Sequence, residues 1–320
     1  MHPDRPSGPL VAVVVLNYNG HDDTHACLAS LANATYAHLA VIVCDNASSA
    51  PGLEAQEALF PAVRFMRNLT NLGFAAGCNV GIGAAMEMGA NYVVLLNNDT
   101  VVSPGFVEPL LSALESNPTA GVAGGTILQW DDSPSERIWY AGGRFSKLRA
   151  GITLLRFGEQ FTPAERPAVV ETGFVSGCFA MIPARVLNQV GWLDEDFFFG
   201  VEDLEFTWRL ERRGLCSLYV PESVIWHRCG RSRAFDAAEV YGGYVAKILL
   251  QRKHRSRFAY RVWLAAYTMY MRTAGLASAS KRLASLGYNQ GTPPQVRESI
   301  DKALRDAWRG TLDTKSGWRT

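Results

Sequence analysis

The sequence predicts an α/β protein with a mostly parallel central sheet flanked by helices, followed by a C-terminal helical extension. The first observation is a series of apolar, β-branched runs at residues 10–16, 39–44 and 91–96, a composition typical of strands buried on both faces. The second is helical spacing between such runs, as at Thr24, Leu28 and Leu31. This alternation of strands and helices indicates βαβ units.

The three strand-like runs share an ending, since each leads directly into Asn or Asp, at Asn17, at Asp45 and at Asn97-Asn98-Asp99. The carboxyl ends of parallel strands lie along one edge of a sheet, where open α/β sheets bind ligands. We therefore expect Asn17, Asp45 and Asp99 to converge. A carboxylate at this edge can hold a divalent cation, which in turn holds a diphosphate. Taken alone, the four residues at 97–100 favour an ordinary turn.

A glycine-rich segment at residues 71–81 follows a short third strand at residues 63–66. Its glycines allow close backbone approach to a ligand. A helix from about Asn79 to Met88 would then point its N-terminus at an anion. Ser103-Pro104 predicts the start of a further helix.

The middle of the chain predicts weaker elements. Residues 129–171 favour short antiparallel strands and loops. Firmer elements follow: a helix at residues 183–190, a helix that Glu202-Asp203 opens, and short strands at residues 218–220 and 224–226.

Composition describes an ordinary globular chain of 320 residues, 48% hydrophobic and 19% charged, with a net charge of +1. This balance gives no global field for nucleic acid, so no nucleic-acid partner is expected. The six cysteines form no CxxC pair, which argues against a zinc site and favours reduced thiols. We see no signal peptide and no apolar run of about 18 residues, so we expect a cytoplasmic protein.

Taken in order, the motifs of residues 10–227 resemble those of the family 2 glycosyltransferases, which are inverting enzymes of the Rossmann-like GT-A fold. Within that family, the chain is most similar to the rhamnosyltransferase-type branch that builds bacterial cell-surface polysaccharides. The motifs are Asn17-Tyr18-Asn19, Asp45-Asn46, residues 71–79, Asn97-Asn98-Asp99-Thr100, Ser176-Gly177-Cys178, Phe199-Gly200-Val201-Glu202-Asp203, Trp208-Arg209 and His227.

The resemblance implies a nucleotide-diphosphate sugar as donor, either dTDP-rhamnose or a UDP-sugar, and a glycan or lipid-linked acceptor. It places Asn17 and Asp45 near the nucleotide base and ribose. The other donor-binding residues that it implies are Asn19, Asn71, Gly73, Asn79 and Asn98.

The resemblance also implies Mg²⁺ or Mn²⁺ as cofactor, with Asp99 as a metal ligand. The first carboxylate of the family's acidic motif is replaced here by Asn97, whose amide oxygen ligates such a cation weakly or through water. His227 occupies the position at which some relatives complete the metal site. Packing or exposure is an equal alternative for this histidine, and its neighbour Arg228 would disfavour a cation.

Transfer with inversion needs a carboxylate base within hydrogen-bond reach of the acceptor hydroxyl. The family's pattern makes Asp203 that base and Glu202 the second candidate. Both lie in the first turn of a predicted helix, whose dipole should keep a carboxylate ionised at neutral pH. Acids at this position can also serve only to cap a helix.

Contacts to the acceptor are expected from Ser176 and Gly177 and from an apolar wall that includes Trp192 and Phe199. The alternative, that these aromatic residues belong to the core, stays open.

The chain divides into a predicted catalytic domain, residues 1–230, and a C-terminal helical region, residues 231–320. Within the first, residues of about 10–100 would bind the nucleotide sugar and residues of about 101–230 the acceptor.

The composition becomes basic in the C-terminal region, where residues 228–261 contain nine Lys or Arg and two Asp or Glu. Helices at residues 241–250 and 258–276 suit the surface of an anionic membrane, which would make the protein peripheral at the inner face of the cytoplasmic membrane. A solvated basic face or a homodimer contact is an equal alternative. The basic residues concerned are Lys247, Arg252, Lys253, Arg255 and Arg257. A short helix at residues 296–308 is expected within an otherwise polar, poorly packed end.

Two other functions stay open. A nucleotidyltransferase also uses a metal and a related sheet, but its first strand is usually followed by a basic glycine-rich loop, and residues 17–20 contain no basic residue. A catalytically silent nucleotide-sugar-binding protein would have no need to retain both Asp99 and Glu202-Asp203.

Overall fold

The computed structural model describes residues 8–49, 51–130, 133–162, 168–228, 237–275 and 293–313. The chain forms two compact units. The first unit comprises Met1–Arg144, Thr153–Glu195 and Glu202–Cys229, and the second comprises Phe145–Ile152, Asp196–Val201 and Gly230–Thr320. The domain boundary at residue 230 stays a prediction.

Strands and helices alternate in the N-terminal part of the first unit, as the apolar runs predict. The elements are β1 (Val11–Asn17), α1 (His21–Leu31), β2 (Leu39–Asp45), α2 (Leu53–Leu59), β3 (Arg64–Arg67), α3 (Phe74–Glu87) and β4 (Tyr92–Asn97).

Residues 100–227 are richer in antiparallel strands, as the mixed polarity of residues 129–171 predicts. The elements are β5 (Thr100–Val102), α4 (Val107–Ser116), β6 (Ala120–Trp130), β7 (Pro134–Tyr140), β8 (Gly143–Ser146), β9 (Gly151–Leu154), β10 (Val170–Thr172), β11 (Phe179–Pro183), α5 (Ala184–Val190), α6 (Glu202–Arg212) and β12 (Cys216–His227).

Ten of these strands form one sheet in the order β10-β12-β6-β11-β4-β1-β2-β3, with β5 added to β12 and β7 added to β6, while β8 and β9 form a separate pair. The β4-β1-β2-β3 half is parallel throughout, and β11 joins it antiparallel to β4. The predicted α/β fold with a mostly parallel central sheet is confirmed.

The order of the strands fixes the place of the site. The chain moves outward from β1 to β2 and β3 and then returns to the other side of β1 with β4, so the strand order reverses at β1. Ligands bind at such a reversal, beyond the carboxyl ends of the strands. The register pairs Asn17 with Asp45 and Leu16 with Asn97, which brings the polar strand ends together.

Helix α3 packs unusually close to the sheet, because a Cβ atom on Gly81 would lie 2.3 Å from a methyl group of Val14. The helix also begins at Phe74, earlier than the predicted start near Asn79. The helix begins there because the preceding loop ends at Gly73, whose φ of +83° lies in the left-handed region that favours glycine. The helix terminus that could face an anion is therefore formed by residues near Phe74.

Two further sequence predictions are wrong in detail. Helix α4 begins at Val107 and not at Ser103, because the Ser103 hydroxyl donates to the carbonyl of Val224 (2.8 Å) and does not cap the helix. The two short strands predicted at residues 218–220 and 224–226 are one strand, β12, interrupted only by a register shift between Val220 and Val224.

The second unit contains α7 (Ala237–His254), α8 (Arg257–Tyr270), a π-helical turn (Met271–Gly275) and α9 (Pro293–Arg309). Its core includes Val245 from α7, Trp263 from α8 and Ile300 from α9. The short helix predicted at residues 296–308 is thus present as α9, which begins at Pro293 and packs into this core. The predicted end of α8 at residue 276 lies outside the described residues. Within the described parts of the chain, no helix is both long enough and apolar enough to cross a bilayer.

Candidate active site

The carboxyl ends of β1 and β2 are joined by a side-chain network around Asp45. One oxygen of this carboxylate accepts hydrogen bonds from Asn17 Nδ2 (2.7 Å) and from the Ser48 hydroxyl (2.6 Å). The other oxygen accepts from the Ser48 backbone N–H (3.0 Å). Because Asn17 and Asp45 are almost fully buried, these bonds form out of bulk water and hold both side chains in place.

The remaining oxygen of this network, Asn17 Oδ1, is equally well satisfied. It accepts from the Gly20 N–H (3.2 Å), from the Thr24 hydroxyl (2.9 Å) and from Asn98 Nδ2 (3.3 Å). Asn98 belongs to the turn after β4, so the network spans three strand ends. We name the set the rim cluster: Asn17, Thr24, Asp45, Ser48 and Asn98.

A second amide network shapes the loop before α3. Asn46 Nδ2 donates to Asn71 Oδ1 (2.8 Å) and to the carbonyl of Gly73 (3.0 Å), and Asn71 Oδ1 also accepts from the Gly73 N–H (2.9 Å). Asn19, with a left-handed φ of +56°, likewise accepts from the backbone of Ser49 (2.8 Å). Four of the residues predicted to bind the donor or to flank it therefore shape one edge of the sheet.

Asp99 lies in the turn between β4 and β5, where the pairing of β5 with β12 sets its surroundings. The register places Thr100 opposite His227, and the Arg228 N–H donates to the carbonyl of Asp99 (2.9 Å). The Asp99 carboxylate lies 3.0 Å from Nε2 of His227, although the alignment is that of an ion pair and not of a hydrogen bond. The structure thus brings two of the three predicted metal ligands together.

The third predicted ligand, Asn97, has an unusual side chain. Its Oδ1 is buried and finds no hydrogen-bond partner among the described residues. A buried acceptor oxygen without a donor costs stability, and a cation is one group that would satisfy it. Carboxylate and amide oxygens of this kind suit Mg²⁺ or Mn²⁺. We name Asn97, Asp99 and His227 the acid corner.

Only two of these three ligands ionise, since Asn97 replaces a carboxylate. Accordingly, the described residues contain no group of three or more His, Cys, Asp or Glu side chains arranged to hold a metal ion. The sequence suggested that Arg228 would repel a cation here. Its side chain instead pairs with Asp23 (2.8 Å), which offsets its charge, and stacks over Trp130.

The electrostatics of His227 reflect its neighbours. Burial lowers the pKa of its imidazole, but the adjacent Cys178 and Asp99 side chains outweigh burial and raise the pKa well above its usual value. The ring also meets Trp139 edge-on, with ring centroids 5.1 Å apart. A cation at the acid corner would compete with the proton that this environment favours.

Asp203 lies at the start of α6 and points at the loop before β11. One carboxylate oxygen accepts from the Gly177 N–H (3.2 Å) and the other from the Leu204 N–H (2.8 Å). Burial raises the pKa of Asp203 above its ordinary value, although these backbone hydrogen bonds oppose the shift. Burial therefore opposes the effect of the helix dipole on this carboxyl, and its ionisation at neutral pH stays a prediction.

The loop that binds Asp203 also touches the acid corner. Gly177 donates to Asp203, while the carbonyl of the next residue, Cys178, accepts from the Asn97 N–H (3.0 Å). Ser176 completes the turn, since its hydroxyl accepts from the Cys178 N–H (3.3 Å). Two adjacent residues thus connect the candidate base to the strand end that carries the candidate metal ligands.

Asn79 lies apart from the rim cluster. Its amide donates to the carbonyl of Leu193 (2.9 Å) and to Glu195 (2.9 Å), and its oxygen accepts from the Leu193 N–H (3.1 Å). The side chain therefore holds the segment after α5 against α3. Its donor contact stays a prediction that no contact here supports.

The two aromatic residues proposed to contact the acceptor, Trp192 and Phe199, belong to different units. Trp192 is 38% exposed, and its carbonyl is held by Arg209, which also pairs with the buried Glu205 (2.8 Å). This ion pair fixes the Trp192 loop to α6. Phe199 is 36% exposed and belongs to the second unit, so its role stays a prediction.

Sequence reasoning missed Ser48 and Cys178. Ser48 had a detectable signal, because Asp followed three residues later by Ser is typical of a turn in which the side chains bind the backbone. Cys178 belongs to the Ser176-Gly177-Cys178 motif, but no role was assigned to it, since its place beside His227 depends on strands that are distant in sequence.

Comparison with known proteins gives one family. The family model described as "Glycosyl transferase family 2" matches residues 12–191. An N-acetylglucosaminyl-diphospho-decaprenol L-rhamnosyltransferase of Mycobacterium tuberculosis is 30% identical over 247 residues, covering 72% of this chain and 79% of the relative. A dTDP-rhamnosyl transferase of Shigella flexneri is 24% identical over 160 residues, half of each chain.

Solved structures of glycosyltransferases share the fold. GalNAc-T7, with UDP, GalNAc and Mn²⁺, has a TM-score of 0.62 at 15% identity and matches 95% of this chain and 57% of its own. A mannosyltransferase of Pyrobaculum calidifontis, with GDP-Man and Mn²⁺, has a TM-score of 0.56 at 16% identity and matches 97% of this chain and 89% of its own. The predicted GT-A fold is confirmed, and the matches favour glycosyl transfer over both alternative functions.

Proposed function

Since the chain belongs to glycosyl transferase family 2, we propose that this glycosyltransferase moves a rhamnosyl group from dTDP-rhamnose to a hydroxyl group of a lipid-linked glycan. The names of its relatives support this donor and this acceptor class. A UDP-sugar is the second candidate donor. The product would enter a cell-surface polysaccharide, and the reaction would take place at the inner face of the cytoplasmic membrane.

The position of Asp203 carries the proposal. Its carboxylate is half-buried beside the Gly177–Cys178 turn, which also contacts the strand end of Asn97. A carboxyl group with a raised pKa is a better general base than an exposed one, because its affinity for a proton is greater.

In the proposed reaction, the acceptor hydroxyl oxygen attacks the anomeric carbon from the face opposite the diphosphate. Asp203 takes the hydroxyl proton as the new carbon–oxygen bond forms. The bond from the anomeric carbon to the diphosphate breaks, and the nucleoside diphosphate leaves with both electrons. The configuration at the anomeric carbon inverts.

The acid corner would serve the leaving group. Asp99, His227 and the amide oxygen of Asn97 would hold Mg²⁺ or Mn²⁺. Such an ion, when bound, neutralises the charge that develops on the departing diphosphate.

The rim cluster would bind the nucleotide. Its hydrogen bonds hold Asn17 and Asp45 in one arrangement in the absence of ligand, so little side-chain ordering would accompany binding. The loop of Asn71 and Gly73 would approach the donor with its backbone.

The test is Asp203→Asn, assayed for transfer from dTDP-rhamnose to a lipid-linked acceptor. We expect the rate to fall by about 10²- to 10⁴-fold, the range for loss of a general base, while donor binding by calorimetry is retained. Asp22→Asn is the matched control, because Asp22 also lies in the first turn of a helix but is exposed. Transfer within a few-fold of wild type would remove Asp203 from the mechanism.

The pH profile gives a second readout. Only the ionised form of Asp203 accepts a proton, so the rate should rise with pH through an apparent pKa above the ordinary aspartate value. The folded state also binds more protons than the unfolded state in this window, so this group's contribution to stability falls as pH rises. Asp203→Asn should therefore not lower the free energy of unfolding at neutral pH. A variant that unfolds more readily would instead indicate a purely structural carboxylate.

A further inference from the structure

Helix α8 in the second unit exposes large apolar side chains on the face opposite its core contacts. Phe258 is 79% exposed, Val262 is 55% exposed and Met269 is 69% exposed. Trp263 and Leu264 of the same helix are buried against the core of the unit. Spacing of four and then seven residues places the exposed side chains in one stripe along the helix. We name Phe258, Val262 and Met269 the apolar stripe.

A cationic pocket opens at the C-terminal end of this stripe. The pocket has a volume of about 480 Å³ and is lined by Arg272 of the π-helical turn and by residues of α9. We name it the arginine pocket, and its charged and aromatic lining consists of Arg272, Arg297, Asp301, Arg305, Trp308 and Arg309.

The charges of the arginine pocket are unbalanced. Its single carboxylate, Asp301, lies 3.7 Å from Arg297. The described residues supply no ion pair to Arg272, Arg305 or Arg309. Arg305 and Arg309 are four residues apart on one helix, a spacing at which like charges repel. Several guanidinium groups around one cavity suit a phosphate group, which they bind through paired hydrogen bonds.

Three of the five basic residues that the sequence proposed for a membrane contact, Lys247, Lys253 and Arg255, are engaged within the second unit. Lys253 pairs with Asp196 and lies over the Phe197 ring, while Lys247 lies over the Tyr244 ring. Arg255 donates to Gln251 and to the carbonyl of Lys147. All of these contacts are internal to the second unit. Arg272, Arg305 and Arg309, which line the arginine pocket, are among the cations that are left for an external anion.

We propose that the arginine pocket and the apolar stripe together bind the surface of an anionic lipid bilayer, with a phosphate headgroup in the pocket. The inference goes beyond the proposed function, because the lipid here is the surrounding membrane and not the acceptor. The positive charge of the arginine pocket favours an anionic ligand. The adjoining apolar stripe favours a bilayer as the source of that anion over a dissolved phosphate. Trp308, 53% exposed at the pocket, has the amphipathic ring that suits a membrane interface.

The test measures binding of the full chain to vesicles by co-sedimentation. Wild type should bind phosphatidylglycerol vesicles, release them as salt rises, and bind phosphatidylcholine vesicles far less. The double variant Arg305→Gln/Arg309→Gln should bind phosphatidylglycerol about thirtyfold more weakly, since each basic side chain near an anionic surface contributes a factor of about five. The double variant Arg64→Gln/Arg212→Gln removes two exposed arginines of the first unit and should bind as wild type does.

A second variant tests the contribution of the apolar stripe separately from that of the arginines. Val262→Ser/Met269→Ser should also weaken vesicle binding, without loss of the helical circular dichroism signal, because both side chains are exposed. Transfer to a soluble acceptor analogue should stay at the wild-type rate in all these variants, so failure of this proposal is distinct from failure of the proposed function.

Three results would overturn the proposal. One is equal binding of wild type to both kinds of vesicle. Another is thermal stabilisation by inorganic diphosphate, lost in the arginine variant, with no vesicle binding, which would make the pocket a site for a dissolved phosphate. The third is a concentration-dependent dimer that the arginine variant abolishes, which would make the face a contact between two copies.

Discussion

The rim cluster and the acid corner lie at the same sheet edge of the first unit, yet they differ in how far their polar atoms are satisfied. One oxygen of Asp45 accepts two hydrogen bonds within the protein and the other accepts one, while the side-chain oxygen of Asn17 accepts three. At the acid corner, Asn97 Oδ1 is buried without a donor among the described residues, and Asp99 faces His227 without hydrogen-bond alignment.

The difference separates two ways of preparing a site. A satisfied cluster keeps its shape without ligand and contributes to stability. An unsatisfied one lowers stability, and such features are retained where a ligand completes them. We therefore expect substitutions in the rim cluster to act first on folding and substitutions in the acid corner to act first on metal-dependent binding.

The largest expected effect is that of Asn17→Ala on stability. Asn17 is fully buried, and its removal leaves several partners in the rim cluster without a hydrogen bond, including Asp45 and Thr24. We expect the free energy of unfolding to fall by about 3 kcal/mol, measured by denaturant titration. Asn33→Ala is the control, because exposed Asn33 makes one bond to a helix carbonyl, and it should cost under about 1 kcal/mol. Equal losses in both variants would contradict the claim that the rim cluster is a stabilising network.

The next effect is that of Asp99→Ala on binding. The free energy of unfolding without metal should change by less than about 1 kcal/mol, because the Asp99 side chain is partly exposed and its partner can exist as a neutral imidazole. Binding of Mn²⁺, measured by calorimetry with and without a nucleoside diphosphate, should weaken at least about tenfold, which is about 1.4 kcal/mol. Unchanged Mn²⁺ affinity would exclude Asp99 as a ligand.

The smallest and sharpest test restores the missing carboxylate with Asn97→Asp. Without metal, a second acid beside Asp99 should lower the free energy of unfolding by about 1 kcal/mol through like-charge repulsion and burial. With Mn²⁺, the order should reverse, and the variant should show the larger rise in melting temperature. A variant that gains no more than wild type from Mn²⁺ would place the cation away from residue 97.

Much of the first unit could be predicted from the sequence because its strands are visible as short apolar runs of consecutive residues. The apolar run of β1 and the polar residue that ends it are visible without any partner strand. The rule that parallel strand ends share an edge then led to the contact between Asn17 and Asp45. Helix starts were less accurate, because Ser103 has a cap's composition but donates instead to the distant Val224.

The candidate site was predicted in part for the same reason. Asp99 and His227 were expected near a common cation only through resemblance, and their distance of 3.0 Å depends on the pairing of β5 with β12. The raised pKa of Asp203 was not predicted, because a helix dipole is visible in the sequence while burial by distant residues is not.

The sequence by itself determined the α/β class, the polar strand ends and the family, because apolar periodicity and short motifs are local properties of the chain. Only the tertiary structure decided which of those polar groups are satisfied and which are not. It also decided that Lys247, Lys253 and Arg255 are engaged within the second unit, while arginines of α9 and the π-helical turn line an open pocket. The physical reason is that desolvation, hydrogen-bond satisfaction and charge balance depend on residues brought together from distant parts of the chain.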